Sequence, residues 1–162
     1  MIMQGWLDAK NYCQQNYQDL ASIHSDIDHE DAMNACAQRT GANPCNDRFI
    51  DGDTCRGSIG CWIGLHEPQN EGQMMWSDGS HIDYSNWFPG EPNDSSGMED
   101  EVELRMGCDG YACFNGRWND NNGGVGANGA GGGVKQPFLC QGRARNGRNG
   151  FAPGGGGGGG GH

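Results

Sequence analysis

Near the start of the chain, apolar positions fall on a helical period. Trp6, Leu7, Ala9, Tyr12 and Cys13 recur at spacings of three and four with no breaker among them, which predicts a helix over residues 6–16. Residues 20–23, Leu-Ala-Ser-Ile, read as a short strand. Ser25 followed by Asp28 resembles a capping box and opens a second helix over residues 26–39, with Ile27, Ala32, Ala35 and Cys36 on its inward face. Residues 41–60 are polar, carry Pro44 and several glycines, and lie among Cys45, Cys55 and Cys61, so they read as a stapled insertion. Beyond them, short apolar runs predict strands at 61–65, 74–76, 102–106, 111–118 and 138–141. Trp62, Trp76, Trp87 and Trp118 read as core aromatics. Two helices followed by short antiparallel strands predict an α+β domain, and the length fits one core spanning residues 1–141.

Composition changes the picture at two places. Of 162 residues, 31 are glycine, concentrated at 123–133 and from 142 onward. Neither stretch has apolar area to offset the entropy of ordering. They are expected to be a floppy loop and, over 142–162, a flexible tail in which Arg143, Arg145 and Arg148 precede a run of glycines. The formal charge of -11 argues against nucleic acid as a partner, because neutralising phosphate needs clustered Lys and Arg. The three tail arginines read as a solvated linker sooner than as a contact for acidic polysaccharide. No apolar run approaches the roughly 18 residues of a membrane-spanning helix, and residues 1–7 lack the charged and apolar regions of a secretion signal. The eight cysteines point to a disulfide framework and an oxidising, extracellular setting. Zinc is disfavoured because no C-x₂-C pair is present.

The candidate chemistry lies between residues 91 and 120. Glu91-Pro92-Asn93-Asp94, Glu99-Asp100 and Asn119-Asp120 place carboxylates and carboxamides in segments rich in Gly and Ser. An all-oxygen set suits a hard cation, and Ca²⁺, which takes about six to eight oxygens in flexible geometry, fits it better than octahedral Mg²⁺. Without a counter-ion so many like charges would repel one another. Asn93-Asp94-Ser95 also matches a glycosylation sequon, and a glycan there would block the ion's outer face, so the match is read as fortuitous. His24, His29, His66 and His81 lack ligand spacing, and no Ser/His/Asp or Cys/His arrangement is legible. A glycosidase pair among the carboxylates is disfavoured because metal ligation would keep them ionised, so the expectation is a protein that is not an enzyme.

Trp62-Ile63-Gly64-Leu65, Trp76-Ser77-Asp78-Gly79, Tyr84-Ser85-Asn86-Trp87, Gly90-Glu91-Pro92-Asn93, Trp118-Asn119-Asp120 and Pro137-Phe138-Leu139-Cys140 together resemble a C-type lectin-like domain. The mannose-type, calcium-dependent members are the most similar, and the likeness covers about residues 5–141. The resemblance implies a primary calcium held by Glu91, Asn93, Glu99, Asn119 and Asp120, with a cis peptide at Pro92 that aims neighbouring carbonyls at one ion. Two vicinal sugar hydroxyls would complete the shell, flanked by Glu91, Asn93, Glu99 and Asn119; each hydroxyl can offer a lone pair to the metal, accept from an amide and donate to a carboxylate. The Glu-Pro-Asn order implies mannose, glucose or fucose. An auxiliary calcium would fall to Glu67, Glu71, Asp94 and Asp100 with Glu99 shared, Glu67 standing where the family has Asp.

The resemblance also implies a bridge from Cys13 to Cys140. The family's second bridge is absent, because Glu101 and Gly123 occupy its two positions, and Cys108 with Cys113 is the expected substitute. Cys36, Cys45, Cys55 and Cys61 remain to pair among themselves. The family's opening strand has little room in residues 1–5, so either the sequence starts late or that strand comes from elsewhere, and the sheet edge is then open to pairing with another chain. The functional expectation is a secreted lectin domain that recognises glycans or glycoproteins, with useful affinity coming from several copies. The other reading is a structural or adhesion module of an extracellular assembly or homo-oligomer, with calcium as a structural ion. An ice-binding member of the fold would want a weakly charged face, which the acidic site opposes.

Overall fold

The computed structural model describes residues 3–40, 59–68, 70–108, 112–124, 133–142 and 150–154. Within them the order is α1 (Trp6–Asn16), β1 (Asp19–Leu20), α2 (Asp26–Thr40), β2 (Ile59–His66), β3 (Met75–Trp76), a 3-10 turn (Ser95–Gly97), β4 (Glu101–Met106), β5 (Trp118–Asn121), β6 (Leu139–Gln141) and β7 (Phe151–Pro153). Two antiparallel sheets, β1-β6-β7 and β3-β2-β4-β5, carry the helices. This is the predicted α+β architecture.

Strand β2 joins the two cores because its side chains alternate across the sheet. Cys61, Ile63 and Leu65 face a large cluster with Trp76, Val102, Leu104, Met106, Trp118 and Leu139. Trp62 faces the other way, into a smaller cluster of Trp6, Ala9, Cys13, Leu20, Phe138 and Cys140. Trp62, Trp76 and Trp118 are fully buried and Trp87 packs at the margin, as expected of core aromatics. The bridge between Cys13 and Cys140 closes nearly the whole domain, which contributes about 4–5 kcal/mol by restricting the unfolded chain. Cys36 pairs with Cys61 and Cys108 with Cys113; Cys45 and Cys55 lie outside the described residues, as does most of the stapled insertion.

Helix α2 starts as its cap predicts. The Asp28 amide donates to Ser25 Oγ at 3.1 Å, and the Asp28 carboxylate accepts from the His24 amide at 3.1 Å. Its inward face differs from the prediction at one position. Ile27 is 56% exposed, whereas His29 joins Ala32, Ala35 and Cys36 in the interior, because residues 29, 32 and 36 share a helical face that residue 27 opposes.

Three further expectations are corrected. The strand at 20–23 narrows to Asp19–Leu20, since Ser22 turns its amide and hydroxyl to the Gln141 side chain. The strand at 111–118 is a hairpin turn as far as Arg117, with Tyr111 outside the described residues; Asn115 and Gly116 take positive φ and β5 begins at Trp118. Part of the flexible tail is folded, for Phe151–Pro153 pairs antiparallel with β6, the Gly154 amide bonds the Phe138 carbonyl at 2.9 Å, and Phe151 packs on the large core. The β6 edge expected to be open is therefore covered by β7. Residues 125–132, most of the predicted floppy loop, are not among those described.

Candidate functional site

A long connection from Ser77 to Asp100 carries most of the candidate ligands, and its anchors are main-chain bonds to β5. The Phe88 amide donates to the Trp118 carbonyl at 2.9 Å and the Trp118 amide to the Asn86 carbonyl at 2.8 Å. A turn from Phe88 to Glu91 follows, closed by a 2.9 Å bond, and the Glu91-Pro92 peptide is cis. Asp120, only 1% exposed, then fixes the loop from below, its Oδ1 accepting from the Asn93 amide at 3.1 Å and its Oδ2 from the Asp94 amide at 2.6 Å. The loop braces itself as well: Glu99 Oε2 accepts from the Ser95 amide at 2.7 Å, and Asp94 Oδ1 from the Glu99 amide at 3.2 Å.

These bonds bring Glu91, Glu99 and Asp120 together. Burial pushes the Glu91 carboxyl up to about 7, reinforced by its contact with Asp120 and by the charges of Asp120 and Glu99. Burial also raises Glu99, with Asp120 and Asp94 adding to it against the pull of the Ser95 amide. Asn93 Nδ2 donates to Glu91 Oε1 at 2.9 Å, while Glu91 Oε2 is buried without a hydrogen-bond partner among the described residues. An acceptor-only group in that position asks for a proton or a cation. Asn119 stands next to this cluster on β5, its Nδ2 shared between Glu103 Oε1 at 3.1 Å and the Asp120 carbonyl at 2.7 Å.

A second acidic group lies on the other side of the loop. Glu67, Glu71 and Asp100 each offer an oxygen within 4.8 Å of the others. The Glu67 amide donates to the Asp100 carbonyl at 2.7 Å, and Glu67 Oε2 accepts from the Gly72 amide at 3.0 Å. Desolvation raises Glu71, followed by the charges of Glu67, Asp94 and Asp100. Asp94 thus acts on this group through its charge, and Glu99 sits between the two sets through its bond with Asp94. The first set combines carboxylate and carboxamide oxygens and the second is all carboxylate, the donor chemistry of Ca²⁺ in both cases, and the Glu91 oxygen that lacks a donor fits the same ion.

At the positions where the resemblance implied a missing bridge, the structure has a direct tie. Glu101 Oε2 accepts from the Gly123 amide at 2.6 Å inside the protein. A side chain at Gly123 would run into Trp6 Cβ and the Glu101 carboxyl, at 2.7 and 2.8 Å, so residue 123 has to be glycine for the carboxylate to reach the backbone. Burial pushes Glu101 up to about 7, against the pull of that amide. Sequence spacing gave no sign of this bond, since it joins a strand residue to a glycine in a low-complexity run.

The fold also brings together one Ser/His/Asp contact that sequence spacing did not reveal. His24 Nδ1 lies 2.6 Å from Asp83 Oδ1 and its Nε2 3.1 Å from Ser80 Oγ. The Ser80 hydroxyl and amide are both given to Asp78 Oδ1, at 2.5 and 2.9 Å, and the Gly79 amide is bonded to the Trp76 carbonyl. A nucleophile needs its proton facing the base and unengaged amides nearby for the oxyanion; here those donors are spent on holding the 78–83 loop to residue 24.

Comparison with known proteins agrees with this architecture. The family model described as Lectin C-type domain matches residues 3–141. The human low affinity immunoglobulin epsilon Fc receptor is 36% identical over 115 residues, 71% of this chain and 27% of its own length. C-type lectin BfL-2 of Bungarus fasciatus is 33% identical over 138 residues, 84% of this chain and 69% of its own length. The chain thus spans about a quarter of the receptor and over two thirds of the snake protein. Among solved structures, the cow C-type carbohydrate-recognition domain of CD23, determined in the presence of GlcNAc2Man3 oligosaccharide, superposes with a TM-score of 0.55 at 28% identity, covering 85% of this chain and 79% of that one.

Proposed function

The chain belongs to the C-type lectin domain family, and from that premise we propose that it binds carbohydrate through a calcium ion held by Glu91, Asn93, Glu99, Asn119 and Asp120. The observation that carries the reading is the buried Glu91 Oε2, set against the Asp120 carboxylate with the charge of Glu99 acting on it and with no amide or hydroxyl donor among the described residues, a concentration of negative charge that a dication would neutralise. Calcium would supply the open coordination positions on which a sugar's vicinal hydroxyls sit. Glu91, Asn93, Glu99 and Asn119 would flank those hydroxyls as acceptors and donors, and the Glu-Pro-Asn order favours the mannose, glucose or fucose arrangement. The cow structure's oligosaccharide supports the ligand class. Glu67, Glu71, Asp94 and Asp100 would hold an auxiliary calcium. With the disulfides described, an extracellular glycan or glycoprotein is the fitting partner. No helix among the described residues is long and apolar enough to cross a membrane.

A glycan array run with calcium and again with chelator tests the reading. Retention of mannose-type glycans that chelator abolishes is the expected result; retention that ignores chelator, or none on any sugar, overturns it. The convergence of Glu67, Glu71 and Asp100 as an acidic group of their own favours a second reading, an adhesion or structural module in which calcium only stiffens the loop. Calcium binding without any glycan retention would support that one.

A further inference from the structure

Glu103 is a carboxylate in the middle of a strand, 3% exposed, on the face of β4 that turns away from the large core. Its Oε1 accepts from Asn119 Nδ2 at 3.1 Å and from Asn121 Nδ2 at 3.3 Å, while its other oxygen lies against Gly60, where a Cβ would collide with it, and the Gln136 side chain sits beside the carboxylate. Burying a carboxylate is costly, and an apolar residue of similar size would do the packing at lower cost. What a carboxylate offers is that it accepts and cannot donate when ionised, so it forces any amide beside it to present nitrogen. The β4–β5 register sets Glu103 directly opposite Asn119. Asn119 has two amide hydrogens, and both are used, one by Glu103 and one by the Asp120 carbonyl. Oδ1 is the atom Asn119 has left to offer, and oxygen is the donor a hard cation takes.

We propose that Glu103 is a positioning residue for the candidate calcium site, fixing the Asn119 carboxamide with nitrogen toward the strand and oxygen toward the ion. Glu103 itself touches neither ion nor sugar. The inference rests on the calcium-site reading above, and its test separates the two. Calcium affinity is measured by titration calorimetry, with Ca²⁺ alone, on the full chain and on Glu103→Gln, Asn119→Ala and the double variant. Loss of an outer partner of a metal ligand typically weakens binding about 10–100-fold. Gln keeps one acceptor oxygen and the packing, so about tenfold is expected for Glu103→Gln, together with a cooperative unfolding transition in chelator close to that of the parent chain.

The decisive quantity is the coupling. If Glu103 works through Asn119, the Glu103→Gln penalty disappears in the Asn119→Ala background. A penalty that persists there, or no penalty in the parent background, overturns the inference while leaving the calcium site intact. Failure of the parent chain to bind calcium overturns the underlying reading and the inference together. Should Glu103→Gln unfold, Glu103→Asp, which keeps the carboxylate but shortens its reach to Asn119, is used in the same cycle: a calcium penalty that disappears in the Asn119→Ala background supports the assignment, and one that persists there, or no penalty in the parent background, overturns it.

Discussion

Asp120 and Glu91 face the same small volume with different tasks. Asp120 is already satisfied by two loop amides, so it organises the loop whether or not an ion is present. Glu91 has one oxygen bonded to Asn93 and one with no donor among the described residues, and its carboxyl, raised to about 7 chiefly by burial, holds a proton more readily than an ordinary Glu. A calcium ion at the proposed site would have to displace that proton. Calcium affinity should therefore fall as pH drops through about 7, and calorimetry at pH 7 in buffers of different ionisation enthalpy should show a proton released on binding. Affinity constant between pH 6 and 8, or no buffer dependence, would remove Glu91 from the ion's shell.

The elements differ in how far the sequence reveals them. Helices α1 and α2 are legible because each has enough turns to show a period, and α2 has its Ser25/Asp28 cap besides. The error at Ile27 arises because a first-turn residue can satisfy the spacing without facing inward. Strand β5 was shifted toward the hairpin, whose Asn115-Gly116 turn interrupts an apolar-looking run. Strand β7 could not be seen at all, since three residues in a glycine background carry no alternation, and what makes them a strand is the β6 edge and the core beside α2. The candidate ligand sets were legible as motifs, and their grouping came from the family resemblance and not from spacing, because Glu67 and Glu71 meet Asp100 only through the loop's path. The Glu101 bond to Gly123 lay hidden for the same reason.

Two measurements belong at this scale. Gly116 has φ of 79° and a Cβ there would strike the Met33 side chain and approach His29, so Gly116→Ala should lower stability by about 1–3 kcal/mol in urea unfolding. A loss below about 0.5 kcal/mol, the range of an ordinary surface change, would mean that the hairpin does not sit against α2. Phe151→Ala should cost about 1–3 kcal/mol, below the roughly 3–5 kcal/mol of a fully buried aromatic because Phe151 is only partly buried. It should also increase amide exchange at Gly142, whose amide donates to the Gly150 carbonyl, and at Cys140, which faces β7 in the same alternation; unchanged exchange there would argue against β7.

For the molecule as a whole, the acidic interior gives stability a pH dependence that calcium should reduce. Glu91 and Glu101 are both raised from 4.5 to about 7. A raised acid binds its proton more tightly folded than unfolded, so the ion-free protein gains stability as pH falls toward and through 7. His29 and His66, lowered chiefly by burial, oppose this below 6.5, which sets the useful window at pH 8 to 6.5. In chelator the melting temperature should rise across that window as pH falls. With saturating calcium the rise should be smaller, because proton competition weakens ion binding by as much as protonation of Glu91 stabilises the ion-free protein, and the contribution of Glu101 is what remains. Parallel slopes in the two conditions would show that no ion engages these carboxylates.

Strand β7 bears on how copies of this domain can come together. By lying along β6 it turns an inviting ledge into one that ends in Pro153, a residue with no amide hydrogen to lend to a neighbour. Stacking of backbones into a continuous ribbon finds little purchase on that side of the molecule. Copies gathered there to engage a many-branched glycan would be held by side-chain contacts or an external tether, leaving each binding face free to tilt toward its own sugar.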